Sequence, residues 1–210
     1  MIGWHTYYFY PRATLLLLLL NLAFFLMANL SPSFTLYFAL VPLLFFYKHY
    51  YWQPLTYMFV HKQFFHFLFN MFALWSFGEA VENMIGGRGL AALYIYSGLV
   101  SALFELCFGG MLGSMYLYSV MLGASGSIMG IVAVYAVLRP KSLVYFWVIP
   151  VPAVLLVFLI LALETLFAVT NVLPQIAHLG HVGGLIAGLI PGIYYRRKMG
   201  ARIWRIIRYR

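Results

Sequence analysis

One serine in this chain sits among small residues where an apolar run begins: Gly123-Ala124-Ser125-Gly126. A helix N-terminus leaves backbone N–H groups unpaired and carries partial positive charge. A serine there can attack a carbonyl, and the free N–H groups can hold the oxyanion that forms. Gly123 and Gly126 would let a substrate backbone come close. The same tetrapeptide also suits a helix cap or small-residue packing between helices. The soluble hydrolase elbow, Gly-x-Ser-x-Gly after a strand, does not fit, because Ser127 occupies the fifth position and no strand precedes it.

A serine nucleophile needs a base. His181 stands beside Gly180, Gly184 and Gly188, a spacing that lets two helix backbones touch and would bring an imidazole near a partner side chain. His178, a turn earlier, reads as a histidine at the water interface. His66 and Asn70 share one face of a greasy helix. Two neutral donors aimed at one point suit oxyanion stabilisation, and interhelical hydrogen bonding accounts for them as well.

The elements that must position these groups are apolar. Of 210 residues, 65% are hydrophobic, 20% aromatic and only 8% charged, against about 25% charged in soluble domains. The reading is an all-α polytopic membrane protein. It is a six-helix transmembrane bundle with a short fourth helix and a first outer loop embedded in the membrane. The expected helices cover 14–30, 64–84, 90–108, 125–138, 152–170 and 176–195. The fourth is too short to cross ~30 Å of hydrocarbon alone. Residues 34–59, broken by Pro42 and Pro54 and rich in Tyr and Trp, read as a loop lying partly in the interface. Gly86-Gly87-Arg88-Gly89 reads as a tight turn. Residues 109–123 read as a glycine-rich loop dipping into the membrane under protein cover.

The net charge of +9 could suggest nucleic acid, but its placement argues otherwise. Seven of the thirteen basic residues follow Tyr195. With both ends inside, Arg12, Arg88, Arg139 and Lys141 join them, leaving Lys48 and Lys62 outside. This is the positive-inside pattern, with cytoplasmic N- and C-termini. The division is one transmembrane domain, 1–195, and a basic cytoplasmic tail, 196–210. That tail fits an amphipathic segment on anionic lipid or a plain topology anchor. Cys107 is the one cysteine, so there is no internal disulfide. Glu79 and Glu82 read as structural, and Glu105 and Glu164 as hydrogen bonds between helices.

Taken together, these residues resemble the rhomboid family of intramembrane serine proteases, in its bacterial six-span form. The likeness runs from Tyr51 to about Gly188. It rests on His66 and Asn70 in the second helix, Gly123-Ala124-Ser125-Gly126 opening the fourth, and His181 before Gly183, Gly184 and Gly188. Gly78-Glu79-Ala80-Val81-Glu82 resembles the family's second-helix ending. The resemblance implies Ser125 as nucleophile, His181 as general base, and His66, Asn70 and the Ser125 N–H as the oxyanion hole. Gly123, Gly126 and Met129 would contact substrate. It further implies membrane-protein substrates with unstable helices, a bacterial inner membrane, and neither cofactor nor metal. Two positions depart: Gln53 stands where the family often has Arg after Trp, and Met129 where it often has an aromatic stacked on the histidine. With no aspartate, a dyad rather than a triad is expected. The rival readings are a catalytically inactive relative that binds and escorts membrane proteins, a metalloprotease or metal transporter using His61, His66, His178 and His181, and a channel or transporter. No His-Glu-x-x-His is present for a zinc protease, and no internal repeat is visible.

Overall fold

The computed structural model describes residues 12–112, 114–146, 149–170 and 177–208. Nine helices run through the described residues. They are α1 (Arg12–Leu30), α2 (Pro32–Phe38), α3 (Pro42–Lys48), α4 (Gln53–Thr56), α5 (Phe64–Ile85), α6 (Gly87–Phe108), α7 (Ser125–Leu138), α8 (Ala153–Thr170) and α9 (His178–Arg208). Among the described residues, four helical stretches are long and apolar enough to cross a membrane: Arg12–Leu30, Phe64–Ile85, Gly87–Met111 and Ala153–Thr170. The protein is an all-α membrane bundle. Its outer helices present apolar side chains such as Leu16, Phe69, Phe72 and Phe158 to the surroundings, which hydrocarbon covers and water would not.

The short α7 lies at the centre, buried along most of its length, with α6 and α9 packed closely on it. Small residues make this possible. A methyl group added at Gly184 would run into the carbonyl of Gly126, and one at Gly188 into that of Gly130. On the α6 side, Gly126 faces Ser101 and Gly130 faces Ser97. Lipid tails are as apolar as leucine, so helices in a bilayer associate through such close van der Waals contact rather than through hydrophobic expulsion. The α7–α9 contact is therefore backbone against backbone.

The corner between α1 and α5 is held differently. Glu82, buried on α5, accepts from the Ala13 N–H (2.9 Å), the Thr14 N–H (2.8 Å) and the Thr14 hydroxyl (2.7 Å). A carboxylate at the first turn of α1 satisfies donors that the helix cannot and faces its positive end. Gly86, at φ +83°, then turns the chain into α6.

Residues 34–59, expected as a loop lying partly in the interface, are built of α2, α3, α4 and a 3-10 turn, Tyr57–Phe59. Each proline opens a helix at its first turn, where its missing N–H costs nothing: Pro32 in α2, Pro42 in α3 and Pro54 in α4. Ser31 caps α2 by accepting from the Phe34 N–H. Gln53 is fully buried. Its carbonyl oxygen accepts from the Val41 N–H (3.0 Å) and its amide donates to the Leu36 carbonyl (3.0 Å). A neutral side chain thus ties α4 to the segment before α3.

A β-hairpin unmarked in the sequence reading joins α7 to α8. Its strands are β1 (Leu143–Phe146) and β2 (Ile149–Pro152), pairing Leu143 with Pro152 and Phe146 with Ile149. The last helix runs unbroken past Tyr195 to Arg208. The expected start of that helix at Ile176, the first eleven residues and the last two lie outside the described residues.

Candidate active site

Ser125 is the first residue of α7, and His181 lies in the opening turn of α9. The glycine seam brings the two helix N-termini together. His181 Nε2 is 2.7 Å from Ser125 Oγ, within the range a nucleophile–base pair requires. Both residues are partly accessible, while their neighbours Ala124, Gly126 and Ser127 are buried.

The turn before Ser125 is fixed from the segment between α1 and α5. Leu40 and Met121 exchange both backbone hydrogen bonds at 2.9 Å. Gly123 donates to the Tyr57 carbonyl (3.1 Å). The Ala124 N–H donates to His61 Nε2 (3.2 Å), and His61 Nδ1 faces the Phe59 carbonyl at 3.2 Å. One neutral tautomer of His61 satisfies both contacts. Burial, aided by the charge of His66, pushes the His61 pKa from 6.5 down to about 4. Gly123 sits at φ +112°, and a side chain there would strike the His66 ring. Only glycine suits both constraints.

His66 lies beside Gly123 and His61, with ring centroids 5.4 Å apart for the two histidines. Asn70, by contrast, is buried and turns its amide back to the His66 carbonyl (3.0 Å). Met129 is half-buried on α7. The aromatic-type neighbour of His181 is His178, perpendicular to it with centroids 6.5 Å apart.

Glu164 of α8, expected to form a hydrogen bond between helices, does bridge α8 to α9. It also reaches the site. Its Oε2 accepts from His178 Nδ1 (2.6 Å), and its Oε1 lies 3.0 Å from His181 Nδ1. The second contact has ion-pairing distance but is bent away from hydrogen-bond alignment. Glu164, His178 and His181 each bring one potential metal-ligating atom within 4.8 Å of the others. The one sequence signal for Glu164 was its solitude, as the single charged residue of an eighteen-residue helix.

A family profile described as Rhomboid domain matches residues 48–198. The chain is 35% identical over 94 residues to Rhomboid protein 1, mitochondrial, of Saccharomyces cerevisiae, covering 45% of this chain and 27% of that protein. It is 31% identical over 139 residues to Rhomboid protease GluP of Bacillus subtilis, covering 65% and 24%. It is 30% identical over 152 residues to Rhomboid-type serine protease 2 of Emericella nidulans, covering 71% and 28%. The chain spans about a quarter of the length of these relatives.

Proposed function

Because the chain belongs to the rhomboid family, we propose that it is an intramembrane serine endopeptidase cutting transmembrane-helix substrates with Ser125 and His181. The observation that carries this is the 2.7 Å separation of the hydroxyl and the imidazole at the mouth of two helix N-termini. Both groups are partly accessible, as a nucleophile and its base must be. Ionisable groups inside a membrane are costly and mark function by default.

In this reading His181 Nε2 takes the Ser125 proton as Oγ bonds to a peptide carbonyl carbon. The carbonyl electrons move onto oxygen, and the free N–H groups at the start of α7 hold that oxyanion together with His66. Asn70 joins them through the second N–H of its amide, the first being held by the His66 carbonyl. His181 then hands the proton to the leaving nitrogen as the C–N bond breaks, and water repeats the cycle on the acyl-enzyme. This reading keeps Gly123, Gly126 and Met129 as the positions that would contact substrate beside Ser125. A helical peptide bond is shielded by its own hydrogen bonds, so the substrates are membrane helices that unwind locally. The distribution of Arg and Lys favours cytoplasmic termini, and a bacterial inner membrane is the setting this reading proposes.

The test is Ser125→Ala in the full chain, reconstituted in a bilayer with a helix-tethered reporter. Cleavage is expected to fall to background while thermal unfolding is unchanged. Cutting at the parent rate would remove the reading and leave the escort role standing.

A further inference from the structure

We infer that Glu164 is the positioning carboxylate of a Ser125–His181–Glu164 relay, with His178 holding the carboxylate's second oxygen. This rests on the proteolytic reading above and extends it from a dyad to a triad.

Three observations carry it. First, the imidazole of His181 lies between two groups, with Nε2 2.7 Å from the serine oxygen and Nδ1 3.0 Å from Glu164 Oε1. A neutral imidazole carries one N–H. With that proton on Nδ1, toward the carboxylate, Nε2 presents its lone pair to the hydroxyl, which is the tautomer a general base needs. Second, Glu164 is not free to follow His181 wherever it turns. His178 grips its other oxygen at 2.6 Å, and the His178 ring is 5% exposed. His178 and His181 are both in the first turn of α9, so the carboxylate also sits at a positive helix end. Third, the bridge that this acid makes from α8 to α9 ends on the two histidines of the site. Helix α8 is otherwise apolar, and its buried residues are Ala153, Leu156 and Ala168. A bare carboxylate in such a helix is destabilising unless paired, and both of its partners belong to the site.

The proton arithmetic closes without any added reactant. As the Ser125 Oγ–C bond forms, the hydroxyl proton moves to Nε2 and the carbonyl π pair moves to oxygen. His181 is then an imidazolium, and the ionised Glu164 faces the new charge. The carboxylate keeps its electrons and takes no proton. When the C–N bond breaks, its electron pair stays on nitrogen and the Nε2 proton goes with it. The bent resting contact at Nδ1 leaves a small ring rotation to be completed once the imidazolium forms, a looseness common before substrate binds.

The experiment compares parent, Glu164→Gln, Glu164→Asp and Ser125→Ala proteins, each as the full chain in proteoliposomes. The readouts are kcat and KM on a helix-tethered reporter, thermal unfolding, and the rate of Ser125 labelling by a fluorophosphonate, which needs no substrate. Glu164→Gln keeps the shape and an amide for both histidines but removes the charge. We expect kcat and labelling rate to fall by about 10²–10⁴-fold, with KM within twofold and unfolding unchanged. Glu164→Asp should recover to within about tenfold of the parent, since charge rather than shape is what His181 feels. Parent-like kcat and labelling in Glu164→Gln would overturn the relay while leaving the protease intact. So would a loss that tracks lowered stability equally in Gln and Asp, because that is the signature of a strut between α8 and α9. Abolition of the parent's activity by a chelator would reassign the three groups as metal ligands and also overturn it. A parent that neither cuts the reporter nor takes the label, or a Ser125→Ala protein that still cuts, would remove the proteolytic reading and the relay with it.

Discussion

Two carboxylates in this bundle sit in similar greasy surroundings and are treated in opposite ways. At the corner between α1 and α5 Glu82 receives two backbone N–H groups and a threonine hydroxyl, none of which can change its protonation. At the pocket Glu164 faces two histidines, both able to gain or lose a proton. Glu82 is 5% exposed, whereas the Glu164 side chain is 17% exposed. A buried acid satisfied by fixed donors acts as a rivet. One satisfied by titratable partners and left in reach of water acts in chemistry. The general rule that membrane acids are functional therefore needs its partners inspected before it is applied.

The contrast predicts separable failures. The largest effect is expected from Gly184→Val, whose side chain would collide with the Gly126 carbonyl. Parting α7 from α9 by even 1 Å should cut cleavage at least ~100-fold, while hydrogen exchange at the Thr14 amide stays as in the parent. Loss of protection at Thr14 would show that corner and pocket are one unit and break the comparison.

Glu82→Ala should do the reverse. It strands three donors, for about 3 kcal/mol of lost stability in SDS titration. Cleavage per labelled Ser125 should remain at the parent rate. A fall in rate per labelled serine would put Glu82 into the chemistry.

A smaller effect sharpens the pocket side alone. His61 stays neutral in the fold down to about pH 4, against an ordinary value of 6.5. Between those values the unfolded chain binds a proton that the fold refuses. Stability from this group is therefore complete above pH 6.5 and is lost toward pH 4, at up to about 1.4 kcal/mol per pH unit. Unfolding measured across that window should show the slope, and His61→Asn should flatten it. A slope that survives the substitution would assign it to another group.

The helices were legible in the sequence because unbroken apolar runs of span length have few alternatives. Ser125 and His181 were legible because a hydroxyl and an imidazole flanked by glycine are rare in such runs. What the sequence concealed has physical reasons. A helix apolar on every side carries no periodicity to tell which face looks inward, so the direction of Glu164 around α8 could not be read. The helices in 34–59 begin with prolines that also signal loops, and their stability comes from Gln53, Trp52 and Thr56 bonding to distant carbonyls. Gln53, standing where the family often has Arg, anchors this segment by bonds to the Val41 N–H and the Leu36 carbonyl. Asn70 shares the expected face with His66, and the sequence could not show that one of its two amide hydrogens goes to the His66 carbonyl below. His61 lay in a stretch with no motif at all, and only folding brings it to Ala124.

The backbone-to-backbone seam of Gly126, Gly130, Gly184 and Gly188 has an effect on how this protein would look to genetics. A random mutagenesis screen scored on lost activity would rank those four positions beside Ser125 and His181, though none of them has a side chain with which to do chemistry. Telling scaffold from reagent would then require a covalent probe of the hydroxyl, because phenotype would be blind to the distinction.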